Sequence, residues 1–266
     1  MTESKLKDIP PIYYLNLDHR VERKLYIENQ FRKYNIKNYT RISASRYDPK
    51  NYSEWKSKII ADDILTQPQF LSVLLNRIQS IVDWYNSNTS EVCMMIEDDL
   101  SFDTVEYWDF NWKDIFNKLP CNWDCIQFHI IGERYIPMFL SKWTKNNHAA
   151  TCFMITRSYA EKMIRLHYDN GFFKFYTNYG LSEKWPKYHY QSGDFVPYQI
   201  GVTYSLPLFI SNSHFISDGY LDKPNHLAKK SDEVVLDWWK NKSTNYNICD
   251  IMSIDSVNKN DLLIKL

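Results

Sequence analysis

The sequence predicts an α/β domain opening on a parallel sheet. Three observations carry this reading. A short apolar run, a charged amphipathic stretch and a second strand-like run open the chain in that order. A long stretch with apolar residues at helical spacing precedes another buried run. That second run then stops abruptly on three consecutive acids.

Each element has its own signal along the chain. Pro10-Pro11 precedes Ile12-Tyr13-Tyr14-Leu15-Asn16-Leu17, a run of strand length. Asp18 is placed to cap a helix, and Val21 to Tyr34, rich in Arg, Lys and Glu, reads as that helix. Tyr39 to Ile42 is the second strand, which makes strand-helix-strand and a parallel pair. Residues 45–66 carry no clear period. Phe70, Leu74, Leu75, Ile78, Ile81, Val82 and Tyr85 fall on one helical face and predict a helix over 68–86. Val92 to Ile96 is a buried strand that ends at Glu97-Asp98-Asp99. A helix over Trp108 to Leu119, closed by Pro120, is expected next. Strands are then expected at 125–130 and 151–155, with a helix carrying Tyr159, Met163, Ile164 and His167 on one face. Residues 171–192 read as loop. Val202 to Ile210 reads as a last strand interrupted by Pro207, and Val234 to Trp239 as a short helix.

Composition narrows the possible roles. A chain of 266 residues fits one large domain. Lys+Arg and Asp+Glu are each 32, so the basic excess of a general nucleic-acid binder is missing and such a partner is not expected. The polar start is no export signal, and no apolar run is long enough to span a membrane. The five cysteines have no framework spacing and read as reduced thiols, so a cytoplasmic protein is expected.

The acids are the most informative feature. Three carboxylates leaving a buried strand repel one another and are costly to desolvate. The carboxyl edge of an open α/β sheet is also where ligands bind. A divalent cation resolves the repulsion, and Mg²⁺ or Mn²⁺ is commonly held by one or two carboxylates plus substrate phosphates. On an extended segment Glu97 and Asp99 point one way and Asp98 the other. A second candidate is the loop from Asn16 to Arg23 after the first strand, where Arg20 or Arg23 can pair with a diphosphate.

Taken together, three segments resemble glycosyltransferase family 25: Tyr14-Leu15-Asn16-Leu17-Asp18-His19-Arg20 with Arg23, then Arg41-Ile42-Ser43-Ala44-Ser45, then Met95-Ile96-Glu97-Asp98-Asp99-Leu100. Order and spacing agree over about residues 12–103, and the last third matches only loosely. The resemblance implies a GT-A fold, a Rossmann-like sandwich with a mixed central sheet. It implies one domain over 1–266, with a nucleotide-sugar half at about 10–130 and an acceptor-side half at about 131–240. It further implies a UDP-sugar donor, UDP-glucose or UDP-galactose, held through Mn²⁺ or Mg²⁺. Transfer would go to a hydroxyl of a glycan or protein acceptor, with inversion.

Carried over by residue, Asn16, Leu17, Arg20, Arg23, Ser43, Ala44, Asn76 and Asp98 would hold the donor. Glu97 and Asp99 would hold the metal, joined by a late histidine, either His214 or His226. Asp194, in Ser192-Gly193-Asp194-Phe195, would be the catalytic base. One departure is plain: where the family commonly has Ser-His, this chain has Leu75-Asn76, which can hydrogen-bond but not do imidazole chemistry. A non-catalytic carbohydrate- or protein-binding module is the alternative. A nucleotidyltransferase is disfavoured because no glycine precedes Gly132 to build a phosphate loop. A glycosidase needs separated rather than clustered carboxylates.

Overall fold

Pro10 and Pro11 offer no backbone N–H to a partner, so the ladder begins immediately after them. A computed structural model describes residues 4–64, 67–175, 191–212, 214–215, 226–254 and 262–266. Strand β1 (Ile12–Asn16) leads to helix α1 (Val21–Lys33) and strand β2 (Tyr39–Ser43). Then come β3 (Ile59–Ala61), α2 (Pro68–Ser87), β4 (Val92–Glu97) and β5 (Leu100–Ser101). β6 (Cys125–Gln127), β7 (Ser141–Lys142), β8 (Cys152–Thr156) and α3 (Arg157–His167) lie beyond them. β9 (Phe172–Phe175), β10 (Thr203–Ser205), β11 (Ile210–Ser211) and α4 (His226–Asn241) complete the framework around the site.

The chain is an α/β protein with a seven-stranded mixed central sheet, ordered β2-β1-β4-β8-β6-β10-β7. β1 runs parallel to β2 and β4, β8 is antiparallel to β4 and β6, and β10 is parallel to β6 but antiparallel to β7. Five strands therefore share one direction and β8 and β7 oppose them. The sheet draws strands from both halves of the chain.

Strand alternation sorts the core into two layers. Ile12, Tyr14, Met94, Ile96, Cys152 and Met154 face α1 and α4, packing with Ile27, Phe31, Trp238 and Trp239. Tyr13, Cys93, Met95, Phe153 and Ile155 face α2 and α3, packing with Leu74, Ile78, Tyr159 and Met163. Each such fully buried aliphatic side chain stabilises the fold by about 2 kcal/mol relative to exposure.

Local chemistry sets the boundaries. α1 ends because Asn35 takes a left-handed φ of 55°. The Ile36 N–H then reaches the Phe31 carbonyl at 2.8 Å, which closes a Schellman motif. Asp18 does not cap α1, whose first turn lacks a side-chain cap. Its carboxylate instead accepts from Arg41 at 2.5 Å and Ser43 at 2.9 Å. The helix expected over 108–119 is confined to Trp112–Phe116, because Asn111 and Asp114 form a capping box that fixes its start. The strand expected over 125–130 stops at Gln127. The one expected over 202–210 divides into β10 and β11 around Pro207. Phe172–Phe175, read as loop, pairs with β3, and the terminal helix is longer than expected. Among the described residues no helix is long and apolar enough to cross a membrane.

Candidate active site

The carboxyl ends of β1, β2 and β4 lie side by side: Asn16 pairs in register with Ser43, and Leu15 with Glu97. Residues at and just beyond the ends of three adjacent parallel strands are therefore delivered to one edge. A cleft of about 380 Å³ opens there. Asn16, Leu17 and Arg23 line it from the β1–α1 side, Ala44 from the end of β2, Asn76 from α2, and Glu97, Asp98 and Asp99 from the end of β4. These eight come from four separate stretches of chain. His19, Lys50 and Gln69 also line the cleft.

The three acids are handled differently. Asp98 is 5% exposed and accepts from Asn16 Nδ2 at 2.6 Å and from Arg23 Nη1 at 3.2 Å. Burial raises its pKa, partly offset by those two partners. Glu97 pairs with the Arg77 guanidinium, and the Thr151 hydroxyl donates to its other oxygen at 3.5 Å. Asp99 lies 3.8 Å from Arg23 through one oxygen, while its other oxygen is buried with no hydrogen-bond partner. Burial, reinforced by Glu97, pushes its pKa up to about 7. The alternation expected over 97–99 fails, because the chain turns at Asp98-Asp99 so that β5 can pair with β11. Asp98 consequently joins the other two on the cleft wall.

Buried cations and amides brace this edge. Asn16 Oδ1 accepts from Arg41 Nε at 2.9 Å and its amide donates to the Arg20 carbonyl at 3.0 Å. The Phe215 ring covers the Arg23 guanidinium at 5.2 Å. The Asn76 amide donates to the Ala44 carbonyl at 2.8 Å and the Ser72 carbonyl at 3.0 Å, tying α2 to the turn after β2. Arg20 and Ser43 are not on the cleft wall. Arg20 pairs with Glu22 at 3.4 Å, and Ser43 spends its hydroxyl proton on Asp18.

Asp194 stands on a different support. Its carboxylate lies 3.5 Å from Arg77 Nη1, and the same guanidinium pairs with Glu97. A Cβ at Gly193 would stand 2.8 Å from that nitrogen and 3.0 Å from Val73, so glycine at 193 lets the turn lie against α2 without crowding the guanidinium. Asp194 does not line the cleft; it reaches the acid edge through Arg77. Burial works against charge on Arg77, but Glu97 and Asp194 hold it as a cation. His214 and His226 are both exposed. Among the described residues neither forms an ion pair with Glu97 or Asp99.

Sequence reasoning missed Arg77. The available signal was a charge set among Leu74, Leu75, Ile78 and Ile81 on the apolar stretch of α2. His129 is buried with Nε2 on Asp232 at 2.9 Å and Nδ1 unpartnered. Burial disfavours its charged form, but Asp232, with Asp99 and Glu97 beyond, outweighs that and raises its pKa.

Among the described residues no group of three or more His, Cys, Asp and Glu side chains forms a metal cage. The edge nevertheless suits an oxygen-preferring cation that brings its own phosphate ligands. Glu97 and Asp99 supply carboxylates, and Asp99 has a buried oxygen with no partner. No family model matches the chain, and no curated protein matches it.

Proposed function

We propose that this protein is a metal-dependent glycosyltransferase of GT-A type, moving a hexose from a UDP-sugar to an acceptor hydroxyl with inversion. One observation carries the reading. Residues singled out by the nucleotide-sugar pattern in four distant segments line a single cleft at the carboxyl edge of the sheet, where open α/β sheets take ligands.

In this reading Asn16, Leu17, Ala44 and Asn76 shape the nucleotide side. Arg23, already held among carboxylates, faces the diphosphate. Glu97 and Asp99 hold Mn²⁺ or Mg²⁺. When bound, the cation supplies Lewis-acid stabilisation of the charge that develops on the leaving diphosphate. Asp194 takes the proton of the acceptor hydroxyl. Asn16 and Arg23 hold the Asp98 carboxylate in place on the cleft wall.

The test is nucleotide release from UDP-glucose and UDP-galactose with and without Mn²⁺. Release that needs Mn²⁺ and disappears in Glu97→Ala and Asp99→Ala is expected. No release from either donor contradicts transfer. A second reading, a module that binds carbohydrate or protein without transfer, draws on one observation: Arg77 occupies both Glu97 and Asp194. It predicts UDP binding without turnover.

A further inference from the structure

Arg77 is a deeply buried charge beside the cleft, with its side chain 4% exposed. It lies on α2 and belongs to neither strand edge. One end of its guanidinium pairs with Glu97 at the end of β4, and the other stands 3.5 Å from Asp194 on the 192–194 turn. Its Nε is buried without a hydrogen-bond partner. The contact at Gly193 keeps the turn against the guanidinium. Two carboxylates that the proposed reaction assigns to opposite tasks therefore share one cation.

We propose that Arg77 is a positioning residue that exchanges partners. It competes with a divalent cation for Glu97, and when Glu97 turns to the cation the guanidinium is left to Asp194, so that filling the donor side fixes the acceptor-side carboxylate. This rests on the metal-dependent reading of the acid edge. The physical basis is charge balance in a poorly solvated place. A buried guanidinium cannot be left without a counter-charge. Asp194 is the second counter-charge that lets Arg77 release Glu97 at low cost. Removing Asp194 should tighten Arg77 on Glu97 and weaken the cation. Removing the charge of Arg77 should free Glu97 and strengthen it, the reverse of what general structural damage does.

The experiment is calorimetric titration of the full chain with Mn²⁺ alone, without donor or acceptor. The exchange predicts that Arg77→Gln binds Mn²⁺ about tenfold more tightly than wild type and that Asp194→Asn binds about threefold more weakly, in the range of ordinary coupling between sites. It predicts that the double variant matches Arg77→Gln, because Asp194 acts only through the guanidinium. Should Arg77→Gln not fold, Gly193→Ala serves instead: it keeps every charge, sets a methyl between the turn and the guanidinium and is expected to weaken Mn²⁺ by about two- to threefold. Mn²⁺ affinity that ignores residue 77, or an Asp194 effect that persists in the Arg77→Gln background, overturns the exchange and leaves the functional reading standing. In the fallback case, unchanged affinity in Gly193→Ala does the same. No Mn²⁺ binding by wild type or any variant, either alone or with UDP present, removes the functional reading and the exchange with it.

Discussion

The two walls flanking Glu97 are built by different means. The wall proposed to take the donor, called the donor wall below, is assembled by strand register: parallel β1, β2 and β4 bring Asn16, Ala44 and the three acids to one edge with no long loop required. The Asp194 wall depends on a turn that leans on a helix, and one guanidinium ties it to the acids. A sheet edge fixes polar groups through backbone geometry shared by many residues. A turn fixes them through a few side chains. Substitutions on the donor wall should therefore act on binding and turnover together, whereas those on the Asp194 wall should separate the two.

The largest expected effect is on the donor wall. Glu97→Ala or Asp99→Ala should lower Mn²⁺-dependent nucleotide release by about 10³-fold, the size associated with losing stabilisation of a developing charge. Release within about twofold of wild type would erase the distinction between the walls. Asp194→Asn comes next. It should reduce transfer by about 10²-fold, as loss of a general base does, while UDP in the presence of Mn²⁺ still raises the melting temperature. Equal loss of binding and transfer would place Asp194 on the donor wall instead.

A smaller effect concerns protons. Asp99 has a native pKa of about 7 through burial and Glu97, above the ordinary carboxyl value of about 4. Between those values the native state binds a proton that the unfolded chain releases. Without metal, stability should therefore fall as pH rises through that window, by up to about 4 kcal/mol from this group. Urea unfolding at pH 5 and pH 7.5 measures the slope. Asp99→Asn should flatten it, and an unchanged slope would assign it to other groups. The smallest effect is expected at Arg20, which does not line the cleft. Arg20→Ala should change UDP affinity by less than about twofold and stability by less than about 0.5 kcal/mol. A loss of about tenfold or more in a binding titration would extend the donor wall to the helix start.

The same contrast explains what could be read from sequence. β1 and β4 announce themselves as apolar runs, and their polar ends become cleft residues because the sheet aligns strand ends. Asn16 and Asp99 were legible for that reason, whereas Ala44 was named only through the family resemblance. Arg77 was not, since helical spacing marks which face is buried but not which buried charge has found a partner. Asp194 was legible as a motif, but its dependence on Arg77 required the turn at Gly193 to be seen in place. Asp18 misled because a side chain able to cap a helix can equally pair across β1 and β2 with Arg41. Trp108 to Leu119 misled because Asn111 and Asp114 satisfy a helix start in the middle of the apolar pattern.

The central claim is that the acid edge beyond β4 holds a nucleotide diphosphate through a divalent cation. Calorimetric titration with UDP, in Mn²⁺ and in EDTA, for wild type and Asp99→Asn, tests it most directly. The account predicts binding by wild type in Mn²⁺, and none in EDTA or in the variant. Equal affinity in all conditions, or no heat in any, would contradict it.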